Sequence, residues 1–266
     1  TLDSNLKATT VLLNRFIKNA KKVIVSDALI NDNVFEFLKH RASDKTVYLK
    51  NDYKKYYDVP AVRLRDENQF FEKLVESIRA NNYFLFGCDS CDVVTKFCHR
   101  CCQVVPAAKE KCILITADTA YRVKNANEEF KDKFVFYSPK ITFGVDFSMD
   151  IPQDVFIYVR GKSLQPSGVF QQTTRCRNIR TVFFYGDCSN DSSVYTTLGD
   201  VVKDVEQNLA TSKGLASACT YVDKNDELQF VHNTFFNLFT YNEYVKDTYR
   251  SKKIKHFELI LEANGF

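Results

Sequence analysis

Between residues 67 and 185 short apolar, β-rich runs alternate with segments of helical period, and this alternation limits the possible folds more than any other feature. The pattern predicts helix 67–80, strand 82–87, helix 90–104, strand 111–116, helix 119–129 and strand 133–137. Strands Val155–Val159 and Arg180–Tyr185 follow, with a helix around 167–178 between them. Strands separated by helices wind into a parallel sheet through right-handed crossovers, so an α/β fold is expected. Upstream, Leu6, Val11 to Leu13, Phe16 and Ile17 predict a helix over 6–20, and Lys22–Ser26 a short strand. Val34, Phe35 and Leu38 mark a second helix behind an Asn31-Asp32 cap, and Thr46–Leu49 another strand. Asn51–Pro60, polar, tyrosine-rich and closed by proline, is the best linker. From about 194 onward the pattern is helical, broken by a turn near Tyr221–Glu227.

Composition narrows the class. With 266 residues, 45% hydrophobic and 26% charged, the chain can bury a full core and is neither a disordered tail nor a small stapled scaffold. No apolar run approaches the about 20 residues of a membrane crossing, and no basic-then-apolar leader opens the sequence, so no membrane partner is expected. Nine cysteines without an export signal point to free thiols in a reducing, intracellular compartment. A net charge of +4 permits contact with nucleic acid without requiring it. Thr1 in place of Met, and one Met against 23 Phe, suggest a fragment or a processed piece.

Gly161-Lys162-Ser163 has the ending of a phosphate-binding loop, but Phe156 stands where its first glycine belongs and strand-like residues fill the turn. The stretch Gln171 to Arg180 differs in kind. On a helix Gln171 and Arg175 lie one turn apart, and Arg175, Arg177 and Arg180 crowd into six positions between two buried strands, as a solvated basic face or as an anion site. Cys88-x-x-Cys91 with Cys98, Cys101 and Cys102 invites a zinc reading. Cys91, Cys98 and Cys102 share one helix face without a glycine-rich turn, so buried thiols and no metal are expected. The four histidines lack a nucleophile partner, and no acyl-transfer triad is assigned. In the tail, Lys246, Arg250, Lys252, Lys253, Lys255 and His256 interleave with Tyr241, Tyr244 and Tyr249, a pattern for single-stranded nucleic acid or for a solvated face.

Ile141-Thr142-Phe143-Gly144-Val145-Asp146, then a strand, then Gln171-x-x-x-Arg175-x-Arg177 resembles motifs V and VI of superfamily 2 helicases. Phe84–Cys91, at a strand-to-helix turn, resembles motif IV, and Ser26-Asp27-Ala28 takes the place of motif III. Phe156-Ile157-Tyr158-Val159, Ser163, Pro166, Val169-Phe170-Gln171 and Arg175-Cys176-Arg177 look like the replication-origin-binding helicases of herpesviruses, large DNA viruses and mobile elements. Val25-Ser26-Asp27-Ala28-Leu29 fits the same branch. The resemblance covers most of 10–190 and is densest over 141–180. Thr174 replaces the glycine that precedes the first motif VI arginine, and Asn178 occupies the general position of the second. The sequence contains neither Walker A nor Walker B.

The resemblance implies a parallel-sheet RecA-like helicase domain with a helical C-terminal extension: 1–55 the end of a first RecA-like domain, 56–212 a second, and 213–266 the extension. It implies an ATP-dependent DNA helicase of replication initiation. Arg175 and Arg177 would meet the γ-phosphate with Gln171 orienting them, and Gly144, Asp146 and Arg180 would lie on the nucleotide side. Thr142 and the turn Cys88, Asp89 and Ser90 would hold DNA, with Lys252, Lys253 and Lys255 added by the tail. ATP and Mg²⁺ would serve the complete protein, none being held by this chain alone, and its partners would be single-stranded DNA and a missing N-terminal RecA-like domain. The rival is a non-catalytic nucleic-acid-binding or interaction remnant of a mobile-element gene. A sugar-nucleotide enzyme would need a diphosphate-gripping glycine turn, which the sequence lacks.

Overall fold

A computed structural model of the chain describes residues 6–26, 34–35, 38, 41, 45–141, 145–161, 163–187, 192–208, 219–225, 228–250 and 252–266. Two compact units divide it, one of Asp52–Ser192 with Tyr249–Phe266, the other of Thr1–Asn51 with Ser193–Thr248.

The first of these units is built on six strands among the described residues: β1 (Ala61–Arg63), β2 (Phe84–Cys88), β3 (Cys112–Ile115), β4 (Phe134–Tyr137), β5 (Gln153–Val159) and β6 (Ile179–Gly186). They form one sheet in the order β1-β6-β5-β2-β4-β3, parallel throughout. Burial on both faces explains the unbroken apolar runs of β2, β4 and β5, whose residues are all buried. Alternate residues sort to the two faces. Phe84, Phe86, Phe134, Phe136, Phe156 and Tyr158 meet α2 (Glu67–Arg79) and α3 (Cys91–Val104). Phe70 of α2 centres this layer, with its ring 5.7 Å from those of Phe86, Phe97 and Phe156. The opposite face carries α5 (Pro166–Thr173), and α8 (Lys253–Ala263) packs on α5. The single turn Ala126–Glu129 is α4. The architecture is α/β, an all-parallel sheet flanked by helices, with a helical C-terminal part.

That C-terminal part is shared between the units. Phe257 of α8 meets Phe184 of β6, and Phe266 stacks on Tyr56 at 4.5 Å and turns its edge to Phe170. Gly265 permits this return with φ +98, where a Cβ would lie 3.1 Å from the Tyr57 backbone nitrogen. The other unit holds α1 (Leu6–Asn19), α6 (Leu198–Asn208), the antiparallel pair β7 (Thr220–Val222) and β8 (Leu228–Phe230), and most of α7 (Thr234–Arg250). Cys219 and Phe236 are buried among Val202, Val205, Phe235 and Phe239.

Several expectations change. The runs 22–26 and 46–49 form no strand, and their apolar side chains Ile24, Val47 and Leu49 are exposed, with no neighbouring strand among the described residues to complete a ladder. The helix expected over 119–129 shrinks to its last turn, because Glu129 reaches back to accept the amides of Lys124 and Asn125. The helix expected over 167–178 stops at Thr173. Within the expected second helix, Val34, Phe35 and Leu38 are helical, whereas the motif III segment 27–30 lies outside the described residues.

Candidate functional site

From β2 the chain passes to β3 and β4 on one side and then crosses to β5 and β6 on the other, so the winding direction reverses beside β2. Crevices at the carboxyl ends of strands beside such a reversal are the usual ligand sites of open α/β sheets. A cleft of about 660 Å³ lies there, lined by Asp89 to Asp92 after β2, Ala117 after β3, Ser138 to Lys140 after β4 and Ser163 after β5. Ser90 caps α3 by position, without a side-chain capping bond, so the amide end of a 14-residue helix borders the cleft. The Ser138 hydroxyl, in a residue 1% exposed, has no hydrogen-bond partner among the described residues. Lys140 Nζ donates to the Thr119 carbonyl at 2.6 Å on the rim, and Asp92 adds an exposed carboxylate.

The turn residues divide their roles. Asp89 is buried, and its carboxylate accepts the amides of Arg160 at 2.7 Å and Ser163 at 3.3 Å, while its carbonyl accepts the Ser163 hydroxyl at 2.6 Å. It ties the loop after β5 to the end of β2. Ser163 is thereby turned onto Asp89; Lys162, in the middle of Gly161-Lys162-Ser163, lies outside the described residues. Cys88 is fully buried, burial pushes its thiol well up, and its carbonyl accepts Gln172 Nε2 at 3.4 Å.

Arg175 and Arg177 sit on the loop between α5 and β6, not on a helix face. This loop clasps the segment before β5. Phe147 pairs with Cys176 through the Phe147 amide to the Arg175 carbonyl at 2.9 Å and the Arg177 amide to the Phe147 carbonyl at 2.8 Å. Arg175 Nε donates to the Gln171 carbonyl at 3.0 Å and its Nη1 to the Val145 carbonyl at 3.3 Å. Gln171 thus orients Arg175 through its backbone, not its amide side chain. Arg177 pairs with Asp146 and bonds Tyr56. Burial works against its charge, but these two partners outweigh it and hold the guanidinium more firmly protonated. Arg180 forks onto the buried Asp154 carboxylate at 2.9 and 2.7 Å, at the amino ends of β5 and β6, away from the cleft. Thr142 and Gly144 lie outside the described residues.

The tail departs from a continuous basic face. Lys253 is buried, its Nζ donating to the Gly161 carbonyl, whereas Lys252 and Lys255 are exposed. Lys255 pairs with Glu258 at 3.5 Å. Sequence reasoning missed Ser138 and the bridging role of Gln172, whose carbonyl also accepts the Tyr137 hydroxyl at 2.8 Å. A serine followed by proline at the end of β4 was the available signal for Ser138. It also missed Cys112, which joins Cys98 and Cys102 in a cluster with all sulfurs within 4.8 Å of one another.

Among the described residues no helix is long and apolar enough to cross a membrane. No protein-family model matches the sequence, and no curated protein matches it significantly.

Proposed function

We propose that this chain is the second RecA-like half of an ATP-driven DNA helicase or translocase of the replication-origin-binding type, contributing the arginine side of a nucleotide cleft and part of a DNA track. The observation that carries the reading is the clasp of residues 145–147 by 175–177, because it joins the segments that resemble motifs V and VI through two backbone bonds and the Arg177–Asp146 pair. A shift of one segment must then move the other, as coupling between DNA and nucleotide requires.

The residues fit ATP from one side only. Arg175 and Arg177 are anchored cations that suit a polyphosphate, and bound ATP with Mg²⁺ would supply the bond whose cleavage drives movement. The remaining groups of the nucleotide cleft belong to a partner RecA-like domain. On the DNA side, the first turn of α3 and Lys140 offer donors to a backbone phosphate, while Asp92 keeps the contact weak and releasable. The engagement of Arg177 by Asp146 equally favours a module that binds nucleic acid without hydrolysis, and both readings share the cleft.

Amide hydrogen exchange with and without an oligothymidylate tests the DNA side. Protection of residues 90–94 and 138–140 is the expected result. Protection confined to other segments, or none at saturating oligonucleotide, overturns it.

A further inference from the structure

Three cysteines converge where α3 crosses the edge strand of the sheet. Cys98 and Cys102 stand one turn apart on α3, Cys112 opens β3, and their sulfurs lie within 4.8 Å of one another. Cys98 is buried, whereas Cys102 and Cys112 are partly open to solvent. We propose that Cys98, Cys102 and Cys112 form a three-thiolate site for one thiophilic d¹⁰ cation of the Zn²⁺ class, with water as the fourth ligand.

Zinc–sulfur bonds of about 2.3 Å in a tetrahedral site put sulfurs about 3.8 Å apart, so the cluster needs to contract by no more than about 1 Å. Rotation about the side-chain torsions of half-exposed Cys102 and Cys112 can supply that. Three thiolates with a divalent cation leave one net negative charge, and Lys109 lies close enough to Cys102 to act on its thiol. Solvent reaches the two outer cysteines, which gives the ion an entry path and a fourth ligand. The pair suggested by spacing does not form this site: Cys88 is in the core, and Cys91 borders the carboxyl-end cleft. Burial and the neighbouring Cys112 thiol push Cys102 up to about 11. The thiolate and not the thiol is the ligand, so binding releases protons and tightens as pH rises. The ion would pin β3, which among the described residues has only β4 as a strand neighbour, to α3.

The test is competition between the reduced protein and a chromophoric chelator for Zn²⁺, with Cd²⁺ as a second probe whose thiolate charge-transfer absorbance counts metal–sulfur bonds. One ion per chain and an absorbance for three Cd–S bonds are expected. Cys102→Ser and Cys112→Ser should each weaken binding by at least about 10- to 100-fold, the loss that even an outer-shell change causes, and Cys91→Ser should leave it unchanged. Failure to take Zn²⁺ from the chelator, or sensitivity to Cys91→Ser but not to Cys112→Ser, overturns the site. Should a serine variant lose its fold, the Cd²⁺ absorbance of the unaltered protein decides, and fewer than three thiolate bonds rejects the proposal.

Discussion

A lysine ammonium gives up strong hydration when buried, so one that stays inside a fold is held by an acceptor that would otherwise be orphaned. Lys253 is such a residue, since its donor meets the carbonyl of Gly161 at a turn where φ is +79. Its sequence neighbours Lys252 and Lys255 look identical in composition but face solvent. Lys253→Ala should therefore lower unfolding free energy by about 1–3 kcal/mol, the cost of stranding a buried partner, while Lys252→Ala and Lys255→Ala stay within about 0.5 kcal/mol. Urea titrations of the three variants check this, and equal effects would contradict the placement of Lys253. In the sequence the three lysines read as one basic patch, because nothing local distinguishes a lysine that turns inward to a loop ninety residues away.

At the level of elements, α2 shows how local and distant signals combine. Asp66 caps it by accepting the Gln69 amide at 2.8 Å, while the Gln69 side chain accepts the Arg65 amide at 2.7 Å. Glu67, one residue on, accepts from Lys96 at 2.8 Å and the Tyr158 hydroxyl at 3.0 Å, so it joins α2 to α3 and β5. The Gln69 amide, with Arg65, lowers the Asp66 carboxyl below its ordinary 3.8; burial raises Glu67, but Lys96, Tyr158 and Arg100 outweigh it and bring it below 4.5. A carboxyl lowered by folding stabilises the protein fully above its unfolded value and loses that contribution as pH falls through the folded one. Stability should hold above pH 4.5 and fall beneath it, and Glu67→Gln should reduce stability at neutral pH and flatten the acid decline. An unaltered acid profile in that variant would remove Glu67 from the account. The alternation of β2 to β6 with helices was legible because a sheet buried on both faces leaves uninterrupted apolar runs. β1 was not, being three residues long and half exposed, nor was the β7–β8 pair, equally short. The end of α5 was misread because a helical pattern continues to 178 in the sequence, whereas pairing of Cys176 with Phe147 ends the helix by a contact no local window contains. The cleft was legible only in its β2 turn, since its other walls come from three separate loops.

For the molecule as a whole, the proposed function has nucleic acid held by its backbone at the carboxyl end of the sheet. Such binding releases counterions, so the logarithm of affinity should fall linearly with the logarithm of salt concentration, with little dependence on base sequence. Lys140 borders the cleft, whereas Lys131 precedes β4 at the opposite, amino end of the sheet. Lys140→Glu and Lys131→Glu lower the net charge equally, so any difference between them reports place and not overall charge. The decisive measurement is fluorescence anisotropy of a single-stranded oligonucleotide with the three proteins across a salt series. Weak binding by the unaltered chain, a slope shallower by about 0.7 for Lys140→Glu, and an unchanged slope for Lys131→Glu are expected. Tight, salt-insensitive binding to one duplex sequence, or equal losses in the two variants, would contradict it.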